Sequence, residues 1–87
     1  MSNYSNGAAR ERRIMHKLEK EGWYCIRSAG SHGIVDIFAM KVAGIIYDKP
    51  VIIYRFIQSK RRHYLNPKER KEKEEFEHEF GVTIEVL

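Results

Sequence analysis

The run of residues 51–59, VIIYRFIQS, constrains the fold of this chain more than any other segment. β-Branched and aromatic side chains fill it, and such side chains favour the pleated, half-buried surface of a sheet, so we expect one long strand. Gln58 is the last but one residue of the run, and Lys60 follows two positions after it, which places both side chains on one face of the strand. An amide and a cation at the end of an apolar strand raise the question of a chemical site.

A first helix is predicted over residues 7–21. Ser5 or Asn6 can cap its start, and Gly22 supplies the left-handed stop at its end. Its apolar stripe at helical spacing consists of Ile14, Met15 and Leu18. Glu11 lies one turn before this stripe, so the face that turns towards the core begins with a carboxylate.

Two further strands are predicted between this helix and the long run, at residues 23–28 and 34–41. The connection between them, SAGSHG, has the composition of a loop. Residues 45–47 either prolong the second of these strands or form a short strand of their own. Asp48-Lys49-Pro50 is predicted as the turn that leads into the long run.

A second helix has the strongest start signal in the chain. Asn66 is its cap, Pro67 suits the first helical position, and Glu69 is placed to close a capping box. Gly81 ends this helix, and residues 82–87 alternate as a terminal strand. The order helix, three strands, helix, strand predicts an α/β or α+β sheet with helices against it.

Length and charge bound the possible functions. A chain of 87 residues is expected to form one domain with a small core, which self-association would help to stabilise. Its net charge of +4 suggests a polyanionic partner. The single cysteine, Cys25, excludes an internal disulfide and fits a reducing compartment. No apolar run approaches the roughly 20 residues of a membrane span, so we expect a cytoplasmic protein of cellular or viral origin.

Polar residues interrupt the apolar pattern at Glu11, Asp36, Gln58 and Lys60. Isolated buried carboxylates are costly, so such groups are usually paired or hold a metal. One interpretation is structural, a salt bridge such as Asp36 with Lys60. The other is a Mg²⁺ site for phosphodiester hydrolysis, in which carboxylate oxygens bind the metal and Lys60 orients water or stabilises charge on the phosphate.

Three segments carry a resemblance to a known family: ARER in the first helix, GWYCIRSAGSHGIVDIFA, and a strand that ends near the acid-x-Lys position. With the order of elements, they resemble the PD-(D/E)XK nuclease superfamily, and most closely its archaeal-type Holliday junction resolvase branch. The resemblance implies an α/β, restriction-endonuclease-like core with a mixed central sheet flanked by helices. It also implies a Mg²⁺-dependent endodeoxyribonuclease, with Mn²⁺ able to substitute, that acts on branched DNA such as four-way junctions. Symmetric cutting of two strands would favour a homodimer, because paired active sites on a two-fold axis match a two-fold junction.

The resemblance assigns roles to individual positions. Glu11 would help to bind the metal, Asp36 would be a direct ligand, and Lys60 matches the catalytic lysine. Ser31 matches a serine beside the active centre. Gln58 departs from the pattern, because an acid is expected there, and its neutral amide oxygen would be a weaker ligand. Two alternatives therefore stay open: a non-catalytic nucleic-acid-binding module, and a structural domain with a buried ion network.

A second set of residues is predicted to contact DNA. The resemblance implies phosphate contacts for the arginines near the site, and the loop histidine and the basic segment before the second helix extend this surface. The full set is Arg10, Arg12, Arg27, His32, Arg61, Arg62 and Tyr64.

Overall fold

The computed structural model of the protein describes residues 3–28 and 33–87. Its elements in chain order are α1 (Asn3–Lys20), β1 (Tyr24–Arg27), β2 (Ile37–Ile46), β3 (Lys49–Gln58), a 3₁₀ turn (Arg61–His63), α2 (Pro67–Phe80) and β4 (Ile84–Val86). The predicted order of helices and strands is confirmed. None of the helices in the described part of the chain is long and apolar enough to cross a membrane.

The four strands form one mixed sheet in the order β1-β2-β3-β4. β1 pairs with β2 and β2 with β3 in antiparallel fashion, whereas β3 and β4 are parallel. The parallel pair needs a crossover, which α2 supplies. The α/β architecture with a mixed central sheet is therefore confirmed.

The start of α1 differs from the prediction. The helix begins at Asn3, so Ser5 and Asn6 lie inside it and the prediction that either one caps it is wrong. Gly7 does not interrupt it, because a glycine inside a helix costs only about 1 kcal/mol while each added residue gains a hydrogen bond.

The connection between β2 and β3 also differs from the prediction. β2 continues to Ile46, so residues 45 and 46 prolong the strand, as in the first of the two alternatives for residues 45–47. The predicted turn at residues 48–50 is displaced, because Tyr47 and Asp48 form the two-residue turn and β3 already begins at Lys49. Both turn residues have positive φ, 51° and 64°, the conformation that matches the twist of a two-residue hairpin.

The core lies between α1 and one face of the sheet. Leu18 of α1 packs on Ile37, Ala39 and Ile57, which are fully buried in the two central strands. Half-buried side chains surround this cluster: Ile14, Met15, Trp23, Cys25 and Leu87. Burial raises the pKa of the Cys25 thiol, as expected for a cysteine that acts as a small hydrophobic residue.

The start of α2 follows the prediction closely. The Asn66 side chain accepts a hydrogen bond from the Glu69 N–H at 2.8 Å, and the Glu69 carboxylate accepts one from the Asn66 N–H at 3.2 Å. Gly81 ends the helix in the left-handed conformation. On the sheet face opposite α1, Phe76 of α2 approaches Phe56 of β3 edge-on, with the ring centroids 6.4 Å apart.

Candidate functional site

Asp36 stands where three strands converge. It precedes β2 rather than lying inside it, which corrects the predicted strand start. Its backbone bridges the two neighbouring strands: the Ser28 N–H donates to the Asp36 carbonyl at 2.9 Å, and the Asp36 N–H donates to the Ile57 carbonyl at 2.8 Å. Its carboxylate oxygen Oδ2 accepts a hydrogen bond from the Ser59 N–H at 2.8 Å. Backbone groups on both sides of Gln58 thus hold Asp36 at the end of β3, and one of them, the Ser59 N–H, binds its carboxylate.

Gln58 itself is almost completely buried, with 4% of its surface exposed. Its backbone carbonyl accepts a hydrogen bond from the Leu87 N–H at 2.9 Å, but its side-chain oxygen Oε1 has no hydrogen-bond partner among the described residues. A buried acceptor without a donor costs free energy, and such groups in native proteins call for an explanation. Here an acceptor without a partner is held next to the residue that binds the Asp36 carboxylate.

The electrostatics of Asp36 bring several predicted residues together. Burial raises the pKa of its carboxyl above the ordinary value, and the negative charge of Glu11 raises it further. The bond from the Ser59 N–H and the positive charges of Lys60 and Arg10 oppose this rise in pKa. Glu11, Lys60 and Arg10 therefore all lie close enough to act on Asp36, and a carboxyl with a perturbed pKa among such partners is typical of a functional site.

Glu11 is held by a residue that was predicted to contact DNA. The Arg27 Nε donates to Glu11 Oε2 at 2.6 Å, and both side chains are largely buried. The bond engages one carboxylate oxygen of Glu11. Within residues 3–28 and 33–87, no three His, Cys, Asp or Glu side chains lie close enough together to hold a metal. Acids at positions 11 and 36 with an amide at position 58 are consistent with that result.

Lys60 pairs with α2 instead of with Asp36. Its ammonium group donates to the Glu69 carboxylate, so the predicted structural alternative of an Asp36–Lys60 salt bridge is wrong. The reason is that β3 ends at Gln58, and the bond from the Lys60 N–H to the Leu87 carbonyl carries the chain towards the start of α2. Sequence reasoning identified Glu69 as a capping residue and missed this contact.

A groove beside Lys60 is lined by positive charge. Among the described residues that line it, every charged side chain is a lysine or an arginine. These residues are Arg10, Arg13, Ile14, Lys17, Lys60, Arg61, Arg62, His63 and Leu87, and we call this surface the basic groove. Arg13 and Lys17 are absent from the set of residues predicted to contact DNA. Their spacing of three and seven residues from Arg10, which puts all three on one helix face, was the signal that could have identified them.

The predicted DNA contacts that do not line the groove have no common location among the described residues. Tyr64 is exposed, and it forms a shallow pocket with Arg61 and Arg62. Arg12 is exposed on α1, outside the set of residues that lines the groove. Ser31 and His32 lie outside the residues that the structure describes.

Comparison with known proteins gives the family of the chain. The sequence model of the archaeal Holliday junction resolvase (hjc) family matches residues 2–84, which is all but the first residue and the last three. No curated protein matches the chain, and no solved structure does. The family supports a nuclease of the Holliday junction resolvase type, with DNA as its partner. The chain belongs to the archaeal Holliday junction resolvase family, a family of PD-(D/E)XK-type nucleases.

Proposed function

We propose that this chain is a metal-dependent, structure-selective endonuclease that hydrolyses phosphodiester bonds in branched DNA such as four-way junctions. One observation carries the proposal: Gln58, whose buried Oε1 has no hydrogen-bond partner among the described residues, lies in the chain between Ile57 and Ser59, the two residues of β3 and its end whose backbone holds Asp36. Proteins seldom bury a hydrogen-bond acceptor without a partner. A bound cation that is coordinated by oxygen atoms is the simplest explanation of this arrangement.

The donor set fits a hard divalent cation. Asp36, Glu11 and the Gln58 amide oxygen would hold Mg²⁺, with Mn²⁺ able to substitute, because Mg²⁺ binds through one or two carboxylates and completes its shell with water and phosphate oxygens. When bound, the cation would lower the pKa of a water molecule and polarise the phosphate. Arg27 orients the Glu11 carboxylate through its 2.6 Å hydrogen bond.

The remaining charged groups suit a polyanionic substrate. Lys60 would stabilise the negative charge that grows on the phosphate, since a fixed cation in a partly buried site acts strongly there. The basic groove would hold the DNA backbone, and binding through it should weaken as salt rises. The charge of Lys60 already acts on Asp36, and the other lysine and arginine side chains of the basic groove lie beside this lysine.

The face of the sheet opposite α1 supports a homodimer. An aromatic row runs across this face and onto α2, with ring centroids 4.6–6.4 Å apart between neighbours: Tyr54, Phe38 and Phe56 of the sheet, then Phe76 and Phe80 of α2. Tyr24 and Ile26 of β1 extend the row, and we call these seven residues the apolar face. Four of them are about half exposed or more. Exposed apolar patches commonly mark interaction surfaces, and a two-fold dimer would match the two-fold symmetry of a four-way junction.

A cleavage assay tests this function. The purified protein is incubated with Mg²⁺ or Mn²⁺ and with a four-way junction, a flapped duplex or a linear duplex of matched sequence. We expect metal-dependent cleavage of the junction in preference to the linear duplex, and loss of that cleavage in Asp36→Asn. Intact junction and duplex with both metals would overturn the proposal, and cleavage that survives in Asp36→Asn would place the active site elsewhere.

A second candidate is a non-catalytic junction-binding module on the same fold. The neutral amide at position 58 favours it, because it leaves the described part of the chain without a cluster of three acidic ligands. Metal titration separates the two candidates. A binder would show salt-dependent junction affinity and a melting temperature that is unchanged by Mg²⁺, whereas a metal site stabilises the fold when it is occupied.

A further inference from the structure

The carboxylate of Glu69 is the partner that the Lys60 ammonium group contacts. Both side chains are mostly buried, with 31% and 24% of their surface exposed. From sequence alone, Glu69 has only the role of completing the capping box of α2. The structure thus brings a third carboxylate towards the site, from an element that sequence reasoning did not connect with it.

Position 58 explains why this contact matters. An acid two residues before Lys60 would lie on the same face of the strand and would be a natural carboxylate neighbour for its ammonium group. This chain has an amide there, so the strand supplies no negative charge beside the lysine. The negative charge next to Lys60 comes from α2 instead.

The Glu69 carboxylate is held rigidly enough to position a lysine. Oε1 accepts a hydrogen bond from the Asn66 N–H at 3.2 Å, while Oε2 accepts the bond from Lys60. The side chain lies in the first turn of α2, where the helix dipole favours a negative charge. Its pKa is lowered first by the Lys60 bond and then by the Asn66 N–H, as expected for a carboxylate that stays charged.

A second ion pair on the same helix shows the contrast. Lys68 and Glu72 lie 4.0 Å apart, and both side chains are far more exposed than those of the Lys60–Glu69 pair. Exposed pairs of that kind contribute little to stability and hold neither partner in place. The Lys60–Glu69 pair joins a fixed helix turn to a residue that acts electrostatically on Asp36.

We propose that Glu69 is a positioning residue for Lys60 and supplies from α2 the negative charge that Gln58 does not supply from β3. The inference rests on the proposed nuclease function, because it assigns Lys60 a role in that reaction. Glu69 acts through the lysine: it fixes the direction of the ammonium group and does not contact the substrate.

The first test is Glu69→Gln, with Glu72→Gln as the matched control. Glutamine also closes a capping box, so the variant keeps the helix start and loses the charge together with the second acceptor oxygen, the one that binds Lys60. We expect kcat for junction cleavage to fall by about 10- to 100-fold, the range that follows when a reacting group loses its fixed position. KM and junction affinity should stay within about twofold, as should every parameter of Glu72→Gln.

Returning the charge to the strand is the second test. In the Glu69→Gln background, Gln58→Glu should recover part of the lost kcat at saturating Mg²⁺, and the gain should exceed that of Gln58→Glu in the wild-type background. Such coupling is expected only if the two carboxylates serve the same lysine. Additive effects of the two substitutions would contradict the inference.

A third measurement does not depend on activity. Acetylation of individual lysines is followed by mass spectrometry, and we expect Lys60 to react more slowly than Lys68 in the wild type. Glu69→Gln should raise the Lys60 rate several-fold, whereas Glu72→Gln should leave it unchanged. An active wild type with an equally active Glu69→Gln, or a Lys60 rate that is the same in both, overturns the inference and leaves the proposed function standing. A wild type without cleavage overturns both.

Discussion

The two ends of β3 differ in which side chains are buried and which are exposed. At its inner end the strand lies between β2 and β4, and the amide side chain of Gln58 is almost fully buried. At its outer end the strand pairs, within the described part of the chain, with β2 alone, and the side chain of Tyr54, which belongs to the apolar face, is 56% exposed. A buried polar group and an exposed apolar patch are the two informative departures from ordinary burial. β3 has both features. The buried amide of Gln58 belongs to the proposed metal site, and the exposed side chain of Tyr54 belongs to the proposed dimer interface.

The neighbours of β3 cause the difference. Among the residues that the structure describes, β4 pairs only with residues 56–58, and Leu18 of α1 packs on Ile57 close to the same end. The inner end is therefore enclosed well enough to hold polar groups in a medium of low dielectric, where a charge acts strongly. The outer end belongs to a two-stranded hairpin, and such a hairpin is marginally stable when its apolar face has nothing to pack against. A second copy of the chain would supply that packing.

The largest effect is expected at the inner end, from Lys60→Met. Methionine keeps the length and apolar stem of lysine and removes the charge. Loss of one preorganised group that stabilises transition-state charge costs about 10²–10³-fold in kcat, and we expect a loss of that size in junction cleavage.

The adjacent residue gives the control for this substitution. Arg61 lines the basic groove and is exposed, so Arg61→Met should weaken junction binding and lower its salt dependence by about one counterion, with kcat unchanged. Equal losses of kcat in the two variants would show that Lys60 is one more phosphate contact. The proposed role of Lys60 in the reaction would then be wrong.

The outer end is tested by Tyr54→Glu. If the apolar face is the dimer interface, the substitution buries an unpaired charge in each copy, and each buried ion costs several kcal/mol. We expect the dimer dissociation constant, measured by analytical ultracentrifugation, to rise by at least about a hundredfold. Tyr47→Glu makes the same change at the hairpin turn, outside the apolar face, where the side chain is 93% exposed, and should leave the dimer intact. A monomeric wild type would contradict the proposal outright.

The sequence predicted the order of elements because their signals are local. Asn66, Glu69 and Gly81 define α2 through contacts within one turn of the chain. The β2–β3 turn was misplaced because Tyr47-Asp48 lacks the glycine that usually signals two residues with positive φ.

The predicted site residues also divide into those with a local signal in the sequence and those whose partners depend on tertiary packing. Asp36 and Gln58 stand out as polar residues in apolar strands, and the hydrogen bonds of the sheet bring them together. The partners of Glu11 and Lys60 depend on where α1 and α2 pack, which residue spacing along the chain does not encode. For this reason the Glu11–Arg27 and Lys60–Glu69 pairs were missed.

Gln58→Glu tests whether the buried side chain at the inner end of β3 belongs to the metal site. A third carboxylate among the proposed ligands should tighten Mg²⁺ or Mn²⁺ binding by about tenfold, because ligand charge sets the affinity of such sites. The same charge should lower the melting temperature without metal, since an uncompensated buried carboxylate is costly. Isothermal titration calorimetry measures the affinity. Thr83→Glu adds an equal charge at an exposed position beyond α2 and should change neither quantity. Unchanged affinity in Gln58→Glu would exclude position 58 from the metal site.

The smallest effect is the stability of Asp36→Asn as a function of pH. Burial raises the pKa of Asp36 above its ordinary value near 3.8, so the folded state favours the protonated form. The stability linked to this group is therefore present below the ordinary pKa and is lost as pH rises through the folded pKa. Above the folded pKa the wild type holds a half-buried anion, and the substitution replaces it with a neutral amide whose oxygen can still accept the Ser59 hydrogen bond.

Asp36→Asn should accordingly melt at a higher temperature than the wild type at pH 7, and the difference should shrink as pH falls towards 4. A change of 1 kcal/mol moves the melting temperature of a domain of this size by about 4–8 °C, so thermal denaturation resolves the comparison. Addition of Mg²⁺ should stabilise the wild type more than the variant, because the metal binds the folded wild type through the carboxylate that the variant lacks. A variant that is less stable than the wild type at neutral pH without metal would mean that Asp36 serves the fold, and the inner end of β3 would then be structural rather than chemical.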